Sequence, residues 1–252
     1  MLVVVAHPDD ETFGTGSLIA HEAALGVEVV VCCATRGEAG EAPEWLADGE
    51  DLGAVREQEL RAAAAALGVT RVVVLDFGDS GMTGEMGAET LTGAPFESVV
   101  AAVGRVVRDV DPDVVVTLDP VETDGHRDHT RIGQATVEAC RAWPTTWVYA
   151  WTVPRALLAR WFEELERVRP TAEHLDLDRE GLGRPETDIT TILDTSDVRE
   201  LRDRASELHR SQTAPFDSMP DDLRVAFLTT DHLIRMQPPW TGGPVERELG
   251  AR

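Results

Sequence analysis

The chain has 252 residues, 42% of them apolar and 27% charged, which suits one large globular domain or one domain with a small appendage. Its formal net charge is −23 and every basic residue is an arginine, which excludes nucleic acid as a partner because phosphate binding needs clustered cations. Cys32, Cys33 and Cys140 lack metal or redox spacing, and the sequence has neither a signal segment nor a membrane-length apolar run, so we expect a cytoplasmic protein.

The first predicted element is a buried parallel strand over residues 2–6, which runs directly into the sequence His7-Pro8-Asp9-Asp10-Glu11. Ligands of open α/β sheets bind beyond the carboxyl ends of the strands, where this titratable cluster lies. Pro8 ends the strand and stiffens the turn. The pattern predicts a candidate site in which Asp9 and Asp10 take different roles.

Alternating strands and helices follow this first strand. The glycines at 14 and 16 match a dinucleotide fingerprint only in part, because Ile19 and Thr35 stand where it needs a small residue and an acid. Helices are predicted over residues 14–25, 52–67, 96–110 and 130–142, and strands over residues 27–34, 71–75, 114–118 and 145–151. The order indicates an α/β fold with a Rossmann-like, mostly parallel sheet and helices on both faces.

A second titratable cluster follows the strand at residues 114–118 and ends in His126, Arg127, Asp128 and His129. His126 and His129 are spaced i, i+3 and so share a helix face. In the 3-2-1-4 order of doubly wound sheets, the first and fourth strands are neighbours, which brings the two clusters together. Either cluster alone is weak evidence, since acidic loops and HxxH pairs occur by chance, but together they predict a divalent metal site.

The chain is predicted to divide into a catalytic core at residues 1–151 and an irregular C-terminal lid at residues 152–252, packed on the same sheet. A helix over residues 198–210, capped by Asp194-Thr195-Ser196, ends at His209 and Gln212. The sequence leaves the roles of these last two residues open.

These motifs resemble those of the LmbE-like, PIG-L superfamily of zinc-dependent N-acyl deacetylases, which act on N-acetylglucosamine-type sugars. The resemblance rests on HPDDE at residues 7–11 and the later HxDH at residues 126–129. It extends to the T-x-G-E-x-G loop at residues 35–40, R-x-x-E-L at 56–60, D-S-G-M at 79–82 and H-x-S-Q at 209–212. The D-S-G-M run is closest to the mycothiol-pathway deacetylase and amidase members.

The resemblance implies catalytic zinc, because two histidines and one carboxylate leave coordination positions open. We assign the metal ligands as His7, Asp10 and His129. Asp9 is then the general base, and His126, held by Asp128, stabilises the oxyanion. The implied substrate-binding residues are Arg56, Asp79, Met82 and Glu41.

Each substrate-binding assignment has a structural alternative. Arg56 could pair with Glu57 or Glu59 on its own helix, Asp79 and Met82 could be a turn cap and a packing residue, and Glu41 could belong to a solvated turn. Some mycothiol-pathway members carry a tyrosine where this chain has Asp124, and an acid at this position favours a neutral or cationic ligand over an anionic one.

Three alternatives to a zinc deacetylase stay open at this point. The same ligand set also forms the facial triad of Fe²⁺ oxygenases, although those triads usually lie on β-barrels. The chain could be an amidase of a thiol-sugar conjugate, or a non-catalytic sugar- or nucleotide-binding module. The expected partner is a small N-acylated sugar, and the sequence leaves homo-oligomeric assembly open.

Overall fold

The computed structural model describes residues 1–121, 124–172, 175, 177, 179 and 181–250. Its seven strands are β1 Leu2–Val5, β2 Val30–Cys33, β3 Arg71–Val74, β4 Val114–Leu118, β5 Trp147–Thr152, β6 Thr191–Asp194 and β7 Thr230–Gln237. Its α-helices are α1 Asp10–Phe13, α2 Gly16–Ala24, α3 Leu52–Ala66, α4 Phe96–Val110, α5 Arg127–Cys140, α6 Arg155–Val168, α7 Arg199–Ser206 and α8 Asp221–Leu228.

The strands form one sheet in the order β3-β2-β1-β4-β5-β7-β6. The first five are parallel. In β1, β2 and most of β4, runs of valine, leucine and cysteine are buried, as expected for strands whose two faces are covered by helices. The order reverses between β1 and β4, and the right-handed crossovers on each side place helices on opposite faces. In agreement, α4 packs on α5, whereas α7 packs on α2 and α3. The predicted Rossmann-like fold is confirmed.

The predicted irregular lid is wrong in one respect, because residues beyond 152 extend the sheet. β7 pairs antiparallel with β5, and β6 pairs antiparallel with β7. β7 mixes polar and apolar residues, and Asp231 and Leu233 are buried while the residues between and beside them are half-buried. An edge-side strand of this kind lacks the continuous apolar run by which the parallel strands are recognised.

A second cluster of buried apolar side chains lies outside the main core. It joins α6 and α8 with the loops around them, and its largest members are Trp161, Phe162, Phe216 and Phe227. The division of the chain at residue 151 stays a prediction.

Candidate metal centre

The two titratable clusters meet at one edge of the sheet. β1 pairs in parallel with β4, with Leu2 opposite Val115, so the turns that follow both strands leave the sheet side by side. The imidazole centroid of His7 is 4.5 Å from that of His126 and 5.3 Å from that of His129. One nitrogen from each of the three rings lies within 4.8 Å of the others, close enough to hold one metal ion.

Asp10 lies between two of these rings. Its Oδ1 is 3.2 Å from Nε2 of His129, and its Oδ2 is 3.5 Å from Nδ1 of His7. Oδ2 also accepts the backbone N–H of His7 at 2.8 Å, which fixes the carboxylate in the turn. Burial opposes the charged form of Asp10, but the two imidazoles outweigh it and hold its pKa well below the usual range.

Carboxylates behind the two rings determine which nitrogen faces Asp10. Nδ1 of His129 lies 2.7 Å from Oδ2 of Asp124, so in the neutral ring this nitrogen would carry the proton, and Nε2, which faces Asp10, would be available to a metal ion. Nε2 of His7 lies 3.3 Å from Asp128 and 3.4 Å from Asp79, so in the neutral ring Nε2 would carry the proton and Nδ1 would be available to a metal ion. Two imidazole nitrogens and one carboxylate converge, which fits the donor set of a catalytic zinc or iron ion.

The charge around these rings supports the same fit. Burial lowers the pKa of His129, but Asp10 and Asp124 outweigh this effect and raise the pKa to about 10. Burial likewise opposes the charged form of His7, yet the surrounding aspartates raise its pKa well above the usual value. The carboxylates therefore favour positive charge at this position, which a divalent ion can supply in place of protons.

Asp9 caps α1 with an unusual backbone conformation, φ 127°, which is costly for a residue with a side chain. Its Oδ2 accepts from Arg56 at 2.9 Å, and its N–H donates to Oε2 of Glu11 at 2.9 Å. Burial raises the pKa of Asp9 to about 6, against the opposing charge of Arg56. A carboxylate with a pKa near neutrality can both accept and return a proton.

Arg56 is buried behind this turn. Besides Asp9, its guanidinium donates to the carbonyls of Gly37 at 2.8 Å and Pro8 at 2.6 Å. The alternative ion pair of Arg56 with Glu57 or Glu59 is absent among the described residues. Glu57 pairs with Arg36 and Arg61 instead, and Glu59 accepts from the hydroxyl of Ser211. In this structure Arg56 holds the Asp9 carboxylate, and its predicted contact with substrate stays a prediction.

The other predicted substrate residues lie at different depths. Asp79 faces His7 and accepts the N–H of Gly81 at 2.8 Å. Met82 lines a cavity beside the centre, and Glu41 is exposed in the loop before α3. Their roles toward substrate stay predictions.

The predicted role of Asp128 requires a correction. Its carboxylate does not hold His126: it is fully buried, accepts from the N–H of Ser80 at 2.9 Å and the hydroxyl of Thr92 at 2.5 Å, and contacts His7. The backbone N–H of Asp128, not its carboxylate, donates to Nδ1 of His126 at 3.2 Å. Because Nδ1 accepts, the remaining proton of a neutral His126 lies on Nε2.

Sequence reasoning left three further residues without a role. Asp124 orients His129, as its spacing of five residues before that histidine allows. His209 is buried, and its Nε2 lies 2.7 Å from Oε1 of Glu11, whose other oxygen accepts from Asp9. Gln212 donates to the carbonyl of Ser211, its own neighbour. His209 therefore supports the turn that carries Asp9.

A cavity of about 200 Å³ opens beside the centre. Asp10, Asp124, His126 and His129 form its polar end, and its other walls are apolar and largely aromatic. The centre therefore adjoins a largely apolar space.

Comparison with known proteins decides the family. The PIG-L model, described as GlcNAc-PI de-N-acetylase, matches residues 2–140, more than half of the chain. The chain belongs to this family. A relative of the family from Rhodococcus jostii (strain RHA1), 1D-myo-inositol 2-acetamido-2-deoxy-alpha-D-glucopyranoside deacetylase, is 32% identical over 284 residues, covering 100% of this chain and 95% of the relative.

Two solved structures are similar in fold to this chain. N,N'-diacetylchitobiose deacetylase from Pyrococcus horikoshii is 25% identical with a TM-score of 0.63, covering 93% of this chain and 82% of that chain. The 4-carboxy-2-hydroxymuconate hydratase GalB from Pseudomonas putida is 21% identical with a TM-score of 0.56, covering 96% of this chain and 98% of that chain, which shows the fold alone.

The predicted PIG-L family and the predicted class of amide-hydrolysing deacetylase are confirmed. None of the helices in the described part of the chain combines the length and apolar composition that a membrane span requires.

Proposed function

We propose that this chain is a zinc-dependent hydrolase that removes an N-acetyl or other N-acyl group from an N-acetylglucosamine-type sugar or sugar conjugate. The observation that carries the proposal is the convergence of Nδ1 of His7, Nε2 of His129 and the Asp10 carboxylate beside the Asp9 base. The name of the Rhodococcus relative supports the sugar part of the substrate.

His7, Asp10 and His129 would hold the ion. When bound, zinc lowers the pKa of a water ligand toward ~7 and polarises an amide carbonyl. Asp9 takes one proton from the attacking water and delivers it to the amine as the C–N bond breaks, so that the products are a carboxylic acid and a free amine. Arg56 keeps the Asp9 carboxylate in place through Oδ2, while Oδ1 has no hydrogen bond among the described residues.

His126 is proposed to donate from Nε2 to the oxyanion of the tetrahedral intermediate. Its Nδ1 accepts from the backbone, and burial together with His7 and His129 lowers its pKa to about 3, so the ring is neutral at physiological pH. A neutral ring with its proton on Nε2 is a hydrogen-bond donor in that direction. Asp124 and Asp128 keep the two ligand rings in the tautomers that ligation needs.

Amine and acetate release from N-acetylglucosamine derivatives by the metal-loaded protein tests the proposal. We expect stoichiometric acetate and amine, and we expect Asp9→Asn to keep its zinc and lose turnover by at least about a hundredfold, since general-base catalysis is typically worth 10²–10⁴. Asp48→Asn, in an exposed loop, is the matched control and should keep full activity. Retained turnover in Asp9→Asn would refute the base assignment, and binding without acetate release would favour a non-catalytic module.

The same screen separates the remaining alternatives. Preferential cleavage of a thiol-sugar conjugate would indicate an amidase, and metal analysis with assays under argon separates zinc from Fe²⁺. A cytoplasmic location and a homo-oligomeric state stay predictions.

A further inference from the structure

The cavity beside the metal centre is much larger than an acetyl group requires. It has a volume of about 200 Å³, and Asp10, His126 and His129 lie at one end. Six aromatic side chains line it: Phe13, Trp151, Trp161, Phe162, Phe216 and Phe227. An acetyl methyl at the centre would leave most of this apolar surface without a contact, so its burial would contribute little to binding.

The walls offer carbon surface and few hydrogen bonds. The indole N–H of Trp151 donates to Asp231 at 3.0 Å, and that of Trp161 donates to the carbonyl of Pro215 at 2.9 Å, so both are already engaged within the protein. Beyond the polar end at the centre, every described lining residue is apolar or one of these two tryptophans. A sugar ring buried here would lose the hydrogen bonds of its hydroxyls, which is costly, whereas an alkyl chain would lose none.

Groups suited to sugar hydroxyls lie elsewhere. Asp79 and Glu38 belong to loops beyond the ends of β3 and β2, Glu38 accepts the N–H of Asp79 at 2.9 Å, and neither residue lines the cavity. The centre therefore lies between a polar loop region and an apolar cavity. An N-acyl sugar has the same division, with hydroxyls on the amine side of the amide and carbon on the acyl side.

We infer that the cavity binds the acyl chain of the substrate, and that the protein prefers substrates with N-acyl groups of medium length to those with N-acetyl. This inference rests on the proposed function and specifies its substrate class. Each methylene moved from water into the cavity improves transition-state binding by up to about fourfold, equivalent to ~0.8 kcal/mol. From N-acetyl to N-hexanoyl, we expect at least a tenfold rise in kcat/KM.

Two matched substrate series test the inference with the zinc-loaded protein. In the first, methyl glucosaminides carry N-acetyl, N-butanoyl, N-hexanoyl or N-octanoyl groups. In the second, N-acetylglucosaminides carry alkyl aglycones of the same lengths. We expect kcat/KM to rise along the first series and to stay flat along the second. Hydrolysis of N-acetyl compounds with no gain along the first series, or a rise along the second alone, would overturn the inference while the proposed function stands.

A binding measurement covers the case in which no compound is hydrolysed, which would refute the proposed function. Calorimetric titration should then show hexanoate binding at least tenfold more tightly than acetate. Equal affinities would overturn the inference on their own.

A cavity-filling variant localises the effect. Val153→Phe introduces a ring at the cavity wall and should lower the ratio of hexanoyl to acetyl kcat/KM at least fivefold. Val225→Phe, at an exposed position on α8 outside the cavity, is the matched control and should leave the ratio unchanged. If Val153→Phe is folded, as checked by circular dichroism, and its ratio is unchanged, the acyl chain binds outside this cavity. If that variant does not fold, the wild-type substrate series and the hexanoate titration decide the inference.

Discussion

Replacing Asp124 by asparagine tests the assignment of metal ligands through a residue that does not itself ligate. In the structure Oδ2 of Asp124 lies 2.7 Å from Nδ1 of His129, and Oδ1 accepts the backbone N–H of His126 at 3.0 Å. Asparagine can keep the second hydrogen bond, but its amide NH₂ then faces the Nδ1–H of His129. Two donors cannot share this contact, so the imidazole must tilt or move its proton to Nε2, the nitrogen that faces Asp10.

The expected loss follows from this geometry. Partners that orient metal-bound histidines are typically worth 10–100-fold in metal affinity, about 1.4 to 2.7 kcal/mol. The Asp124 side chain is about 39% exposed, so solvent can compensate in part and we expect a loss nearer to tenfold. Competition with a chromophoric chelator at neutral pH measures the zinc dissociation constant of wild type, Asp124→Asn and the control Asp48→Asn. An affinity of Asp124→Asn within twofold of wild type, with the control unchanged, would show that the tautomer of His129 does not govern binding.

Three further predictions concern how the fold holds the centre. Gly133→Ala should destabilise the protein by about 1 to 3 kcal/mol in urea unfolding, because its Cβ would lie 2.4 Å from the carbonyl oxygen of Leu118. The control Gly104→Ala, whose Cβ would have its nearest contact at 3.9 Å, should be neutral or stabilising by about 0.5–1 kcal/mol. Equal effects of the two variants would contradict the close packing of α5 on β4. Arg202→Met should lower the free energy of unfolding in urea by at least about 3 kcal/mol. The fully buried guanidinium donates to four backbone carbonyls in or just after α1 and α8, and these carbonyls would lose their hydrogen-bond donor. A loss below about 1 kcal/mol would contradict this role. Removing metal with a chelator should lower the melting temperature, and zinc at about a hundred times its dissociation constant should restore about 2.7 kcal/mol of unfolding free energy. A melting temperature that does not respond to zinc would argue against a metal site in the folded protein.

The position of the centre was predictable from the sequence because two features coincide in it. Residues 2–6 and 114–118 are continuous apolar runs, and each is followed at once by titratable residues. Parallel neighbours must end at the same edge of the sheet, so the meeting of His7 with His126 and His129 follows from strand order alone.

The direction of each side chain was not predictable in the same way. Asp128 adjoins His126 along the predicted helix, which suggested a pair, but its carboxylate contacts Ser80 and Thr92 from a distant loop. Such contacts depend on how a segment more than thirty residues away packs against α5. The pairing of His209 with Glu11 has the same origin, since 198 residues separate the two.

The backbone alone does not set the chemistry, because the GalB hydratase shares the fold. The strand ends bring the reacting groups within a few ångströms, and other contacts determine what those groups do. Asp9 has a strained φ of 127°, its carboxylate accepts from Arg56, its backbone N–H donates to Glu11, and His209 contacts Glu11 in turn. In the proposed function, these contacts fix one carboxylate oxygen and leave the other for proton transfer. In the proposed function these contacts position a proton acceptor, and the inferred role of the apolar cavity beside it is to select the acyl groups that reach that acceptor.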